Sequence, residues 1–339
     1  MKASIRMISE MTGYSTATVS NALNNKRGVS KETADKIIKV AQDIGYLSDI
    51  RISRVKLVIY IGVASAFYDS PFFSLLIAGV EAECRRMNME TVSYHILRTS
   101  PDYEESLEEL LNDASSALII LATEMDEREA AKFQRAKAPL VILDNWYENL
   151  PFDAVLIDNV DSAYKAVCHM IEMGHTKIGH LQGDFPIKNF SYRLQGYLQA
   201  MHEHGLKVEP SYTVLLSPGM EDACADMARH LEKGPELPTA FFADNDMIAL
   251  GAMRALQQAG YSVPNDVSLV GFDDLPFCAI STPPLTTIKV RNFEMGRVAV
   301  RRLMELIYFE SEFHTRTQVM STFVKRESVR DLRGTALSP

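Results

Sequence analysis

Residues 4–24 read SIRMISEMTGYSTATVSNALN, and this stretch decides how the N-terminal part of the chain folds. Ser4 stands where an N-cap belongs, Ile5, Ile8 and Met11 share one helical face, and Gly13 suits a left-handed C-cap. Ser15 caps a second helix whose apolar positions are Ala17, Val19, Ala22 and Leu23. A third helix begins after Ser30 and runs through Ile37, Val40, Ala41 and Ile44 to Gly45. One tight Gly13-Tyr14 turn between the first two helices is the helix-turn-helix arrangement, although any small three-helix bundle satisfies the same pattern.

Charge separates this head from the rest of the chain. Residues 1–56 carry ten Lys and Arg against five acids, a charge of +5, whereas the remainder carries 25 against 39, a charge of −14. A basic head on an acidic body suits a polyanion-binding module joined to a part that does not bind polyanions. The full length of 339 residues has room for two or three domains.

Beyond the head, apolar strand candidates alternate with helical periods. The strands are Leu57–Val63, Thr91–Leu97, Ala117–Leu121, Leu140–Asp144, Val155–Asp158, Ile178–Gly183, Val214–Ser217, Ala240–Asn245, Val267–Asp273 and Leu285–Val290. Helical periods lie at 73–88, 160–173, 192–204, 246–259 and 293–309. Such alternation predicts parallel sheets covered on both faces, and this many strands predicts two doubly wound lobes. In such folds ligands sit beyond the carboxyl ends of the strands, where Asp144, Gly183-Asp184, Asn245 and Asp273 fall.

Several functions are disfavoured. No apolar run reaches the roughly 18 residues of a membrane helix. The start MKASIRMISEMTG lacks the apolar run and cleavage site of a secretory signal. Cys84, Cys168, Cys224 and Cys278 are scattered with no CxxC pair, which fits a reducing cytoplasm. There is no GxSxG, GxxxxGK[ST] or HExxH motif, and the histidines of His202-Glu203-His204 fall on different faces of a helix. We therefore expect no catalytic residue, no metal and no cofactor.

A family resemblance follows from STATVSNALN, Gly28-Val29-Ser30, Thr33 and Gly45-Tyr46, then Ser70-Pro71-Phe72-Phe73 and Ile157-Asp158-Asn159. It continues through Met173-Gly174-His175-Thr176-Lys177-Ile178, Arg193-Leu194-Gln195-Gly196-Tyr197 and DNDMIALGA at 244–252. PNDVSLVGFDDLPF, STPPLTTIKV and Met295-Gly296 complete it. In order and spacing the chain resembles the LacI/GalR repressors over nearly its whole length. The resemblance implies an all-α headpiece (1–47), a hinge (48–56) and an effector-binding, dimerising body (57–339) like periplasmic sugar-binding proteins. Within the body it implies an N-lobe of about 57–157 plus 288–325 and a C-lobe of about 158–287.

It also implies roles. The second helix would enter the major groove of a near-palindromic operator in double-stranded DNA, with Thr16, Ala17 and Asn21 as base readers. Ser4, Thr18, Ser20 and Asn24 would contact phosphates or fix the helix, with Ser15 at its cap. Asn21 stands where relatives often carry Arg, so it would pair with adenine rather than guanine, or leave the base unread. In the stretch Leu47–Val55, Asp49 would cap a short hinge helix and Val55 would be the wedge in the minor groove.

In the body, Arg193 supplies a fork of donors, Asp144 and Asp273 supply acceptors, and Asn245 supplies both. Phe72, Phe73 and Trp146 are candidate stacking platforms, Phe73 being equally suited to the core and Trp146 to a cleft rim. Purine-binding relatives lack the Asn245-Asp246 pair and carry an Arg near Ile187-Lys188, so the expected effector is a saccharide. The alternative is a co-repressor (a nucleobase or phosphosugar) or a partner protein needed for DNA binding. The expected protein is thus a cytoplasmic, homodimeric repressor of carbohydrate-use genes, with no membrane partner.

Overall fold

The computed structural model describes residues 4–23, 28–44, 52–62, 71–308 and 313–333. The headpiece holds α1 (Ile5–Thr12), α2 (Thr16–Leu23) and α3 (Lys31–Asp43). Ser4 accepts a hydrogen bond from the Met7 amide, and Gly13 ends α1 at φ +74°, a left-handed conformation that glycine adopts without strain. The Ser15 hydroxyl accepts the Thr18 amide at 3.1 Å and so caps α2. Ile8, Val19, Ala22, Leu23, Ile37 and Ala41 form a small separate core.

The body opens with β1 (Arg54–Ile61), α4 (Pro71–Arg86), β2 (Glu90–Leu97), α5 (Tyr103–Asn112), β3 (Ser116–Leu121), α6 (Glu127–Lys132), β4 (Leu140–Leu143) and β5 (Asp153–Ile157). It continues with α7 (Asn159–Glu172), β6 (Ile178–Gly183), α8 (Lys188–Glu203), β7 (Thr213–Leu216), α9 (Met220–Leu231), β8 (Ala240–Ala243), α10 (Asp246–Gln258) and β9 (Ser268–Val270). The last elements are α11 (Phe277–Ile280), β10 (Thr287–Lys289), α12 (Asn292–Tyr308), β11 (Arg316–Val319) and β12 (Thr322–Val324).

Two parallel sheets result, as the alternation predicts. The N-lobe sheet has the order β11-β5-β4-β3-β1-β2 and the C-lobe sheet the order β7-β6-β8-β9. The chain passes between lobes at 157–159, at 289–292 and at 319–322. α12 returns to the N-lobe and lies hard against α4: a Cβ on Gly79 would come 2.0 Å from the Phe293 carbonyl oxygen. After β11 the chain goes back to the C-lobe, earlier than the expected boundary near 325. β12 pairs antiparallel with β10, and Ser328 exchanges hydrogen bonds with Leu269 beside β9.

The start of the body corrects the hinge expectation. Val55 is fully buried in β1, opposite Thr91 of β2 and Ala117 of β3, so it cannot wedge into a minor groove. Its β-branched side chain continues the apolar run that comes after it, and the strand starts three residues earlier than Leu57. Lys56 fits the same strand because its ammonium reaches Asp113 at 3.0 Å. Asp49, with the rest of 45–51, lies outside the described residues.

Candidate functional site

The headpiece turns one side of α2 outward. Val19, Ala22 and Leu23 are buried, whereas Thr16 and Ala17 are exposed and Ser20 and Asn21 are half-buried. These four stand at i, i+1, i+4 and i+5, one stripe of a helix. Ser4 and Ser15 are occupied as caps, and the Ser15 and Thr18 hydroxyls are hydrogen-bonded at 2.8 Å. Asn24 lies outside the described residues.

In the body, Asp144, Arg193 and Asp273 converge where the two sheets face each other. Asp144 directly follows β4 at φ +65° and is 2% exposed. Its carboxylate accepts from the Thr123 hydroxyl at 2.7 Å and, across the cleft, from the Asn189 amide of α8 at 3.1 Å. Burial pushes its pKa up to about 6, although these hydrogen bonds and the Arg193 charge pull the other way.

Arg193, also on α8 and 3% exposed, spends its donors in three directions. Nε donates to Asn159 Oδ1 at 2.9 Å, Nη1 donates to the Asp244 carbonyl, and Nη2 lies 3.5 Å from Asp273 Oδ1. Its guanidinium carbon sits 3.7 Å from the centroid of the Phe272 ring. Asp273 has φ +121°, an unusual backbone for a residue with a side chain, and its Oδ1 is buried without a hydrogen-bond partner. Burial raises its pKa well above the usual carboxylate range, Arg193 offsets part of the rise, and Asp246 and Asp144 add to it. An acceptor left open beside a guanidinium is what a bound hydroxyl would complete.

Sequence reasoning gave the supporting residues no site role, although Asn159, Asp244 and Asp246 stand in the stretches that carry the family resemblance. Asn159 Nδ2 donates to Asn189 Oδ1 at 3.0 Å, so Arg193, Asn159, Asn189 and Asp144 form one chain of hydrogen bonds. Asp244 is fully buried and accepts from the Gly183 amide at 2.9 Å, with His180 Nε2 2.7 Å from its other oxygen. It thereby fixes the backbone carbonyl that Arg193 grips. Asp246 accepts the Leu275 amide at 2.8 Å and the Thr287 hydroxyl at 2.5 Å, which holds the segment carrying Asp273.

Other expected residues have different surroundings. Asn245 caps α10 through the Ile248 amide at 2.7 Å and donates to the Pro218 carbonyl at 3.3 Å, so both ends of its side chain are engaged within the C-lobe. Phe72 and Phe73 are 5% and 2% exposed and pack edge to face in the N-lobe core. Trp146 is half-buried, stacks on Tyr192 of α8, and borders a cavity of about 330 Å³ with Asn159, Asn189 and Arg316.

Among the described residues no helix is long and apolar enough to cross a membrane. Residues 4–49 match the family model for bacterial regulatory proteins of the lacI family, and 167–329 match a periplasmic binding protein-like domain. The chain is 30% identical over 336 residues to the HTH-type transcriptional repressor PurR of Haemophilus influenzae (strain PittEE), covering 97% of this chain and 99% of that protein. It is 29% identical over 334 residues to the ribose operon repressor of Haemophilus influenzae, covering 98% of this chain and 100% of that one. The solved structure of the transcriptional regulator CelR in complex with cellobiose superimposes with a TM-score of 0.74 at 25% identity, over 96% of this chain and 100% of that one. A helix-turn-helix head, two parallel-sheet lobes and relatedness over nearly the whole length lead to one assignment: the chain belongs to the LacI/GalR family of transcriptional regulators.

Proposed function

We propose that the protein is a dimeric repressor of carbohydrate-use genes whose operator affinity is set by a neutral saccharide held between the body lobes. The observation that carries this reading is the buried Asp273 Oδ1, which makes no hydrogen bond although the Arg193 guanidinium lies 3.5 Å away, with Asp144 in the facing lobe. A guanidinium donates in pairs and carboxylates accept in pairs, which suits adjacent hydroxyls on a ring. With Asp144 and Asp273 already held above the usual carboxylate range beside the single guanidinium, a negatively charged ligand would meet both, so a neutral one fits better. Two similar proteins point the same way: one is named as the repressor of a ribose operon, and CelR is solved in complex with cellobiose.

The DNA-binding part of the reading rests on Thr16, Ala17, Ser20 and Asn21, which share the outward stripe of α2, with Ser4, Ser15 and Thr18 holding the helices that present them. A second copy of the chain would seat on α10 and α11, where Ile280 is 79% exposed and Phe277 is 40% exposed beside Leu250 and Met253. Such an apolar patch on a protein surface marks an interaction site. Two heads held by a two-fold axis read two equivalent half-sites, hence a near-palindromic operator.

Calorimetry tests the effector site. Saccharide affinity should drop by about 2–4 kcal/mol in Arg193→Ala, because the charged hydrogen bonds of that side chain are lost. Unchanged affinity in both Arg193→Ala and Asp273→Ala contradicts the site.

A further inference from the structure

At the end of the cleft nearest β11, Trp146 from the N-lobe and Tyr192 from α8 lie with ring planes 9° apart and centroids 6.3 Å apart. The two rings stack and so join the lobes, and with Arg316 lying over Trp146 the ring surface open to a ligand is that of Tyr192. The pair borders a cavity of about 330 Å³ that none of Arg193, Asp144 or Asp273 lines. Asn159 and Asn189 line the side toward those three residues, while Gln195 and Arg316 stand on the other sides. The Trp146 side chain is fixed from behind: the Arg316 guanidinium sits 3.8 Å from its ring centroid, and Arg316 is itself tied to the Tyr147 carbonyl at 3.1 Å. Lys188 Nζ donates to the Trp146 carbonyl at 2.7 Å.

The chemistry of this lining is specific. Amides offer a donor and an acceptor on one planar group, which complements hydroxyls that both donate and accept. The two cations near the stacked pair, Lys188 and Arg316, share their surroundings with Glu127 and Glu148, so neither sign of charge dominates. The Tyr192 ring offers a flat apolar surface to the C–H face of a ring. The volume falls at the small end of ligand pockets.

We propose that this cavity is a second ligand subsite, taking one uncharged, hydroxyl-bearing ring such as a pyranose. The proposal rests on the saccharide reading of the adjoining cleft. The ring is either the outer unit of a disaccharide or a separate monosaccharide. Because Asn159 and Asn189 line this cavity and also join Arg193 to Asp144, a ring bound here holds the residues of the first subsite in place.

The test is a titration of the full-length chain with a panel of neutral mono- and disaccharides, D-ribose, D-glucose and cellobiose among them. Calorimetry gives affinity and stoichiometry, and emission from Trp146, the single tryptophan, reports the stacked pair. A saccharide that binds is expected to shift that emission. For a disaccharide bound once per chain, Tyr192→Ala and Gln195→Ala should each weaken binding by tenfold or more. For a monosaccharide, the same variants should reduce two bound rings per chain to one. Tyr192→Phe, which keeps the ring, should restore parental binding. If Tyr192→Ala and Gln195→Ala bind with parental affinity, stoichiometry and emission change while Arg193→Ala loses binding, the second subsite is wrong and the cleft reading stands. If no saccharide of the panel binds the parent, both are wrong.

Discussion

Asn189 Nδ2 lies 3.1 Å from Asp144 Oδ1, so the first turn of a C-lobe helix is hydrogen-bonded to the residue that follows an N-lobe strand. The contact crosses the cleft at the point where the ligand is proposed to sit. Anything that changes the charge of Asp144 therefore acts on the grip between the lobes.

This gives a pH prediction. The Asp144 pKa rises from 3.8 to about 6 on folding, because burial disfavours the carboxylate more than Thr123, Asn189 and Arg193 favour it. A raised pKa means that the folded state holds the proton more tightly than the unfolded one. The resulting stabilisation is complete below about pH 4 and is lost as the pH rises through about 6, a span of about 3 kcal/mol. Asp144→Asn keeps the shape and tolerates the positive φ, so it should gain about 1–3 kcal/mol over the parent at pH 8 and little near pH 4. Urea unfolding at the two pH values checks it, and an equal difference at both contradicts it.

Val55 supplies a second prediction. As a fully buried strand residue, its truncation to Ala should destabilise the body by about 1–3 kcal/mol. Operator affinity of the folded protein should be unaffected, because the side chain faces the N-lobe core and not the DNA. Thermal unfolding together with operator binding separates the two, and a weakened operator complex at unchanged stability contradicts the core assignment.

For the headpiece, Asn21→Ala should relax base preference at one position of each half-site by about 1–3 kcal/mol. Ser20→Ala should weaken all sequences alike, since a phosphate or helix-fixing contact carries no base information. Both expectations rest on the outward stripe of α2. Binding to a randomised operator library, at several salt concentrations, distinguishes them. A body fragment of residues 57–339 that retards operator DNA like the full chain contradicts the assignment.

What the sequence made legible was set by apolar contrast. The run Ile178–Gly183 is a strand with the same bounds as expected, because five of its six residues are buried between helices on both faces. The helix at 220–231 and the strand at 316–319 were not expected. The first shows only three buried residues on a polar ground, and the second, Arg316–Val319, alternates exposed and half-buried positions with an arginine and a glutamine outward. The site divides in the same way. Asp144, Arg193 and Asp273 were marked by strand ends and family landmarks, and the fold brings them together. Asn159 and Asn189 are single amides at the starts of two helices, and no spacing links residues 30 apart. A signal was available for Asn159, which follows the end of β5 within the landmark Ile157-Asp158-Asn159, whereas Asn189 lies inside α8, well past the end of β6 at Gly183. Val55 was misplaced because a linker of this length comes from the family's pattern rather than from the apolar run that Val55 begins.

The central claim is that a saccharide held at Arg193 controls operator binding. The most direct measurement is fluorescence anisotropy of a near-palindromic operator titrated with the full chain, with and without a saturating saccharide, for the parent and for Arg193→Ala. A ligand moves the equilibrium only by its unequal affinity for the two body states, and a tenfold change in operator Kd corresponds to about 1.4 kcal/mol. The account predicts at least that change in the parent, and in Arg193→Ala a parental Kd without ligand that the saccharide no longer alters. An operator Kd in the parent that no saccharide shifts, or an equal shift in Arg193→Ala, would contradict it.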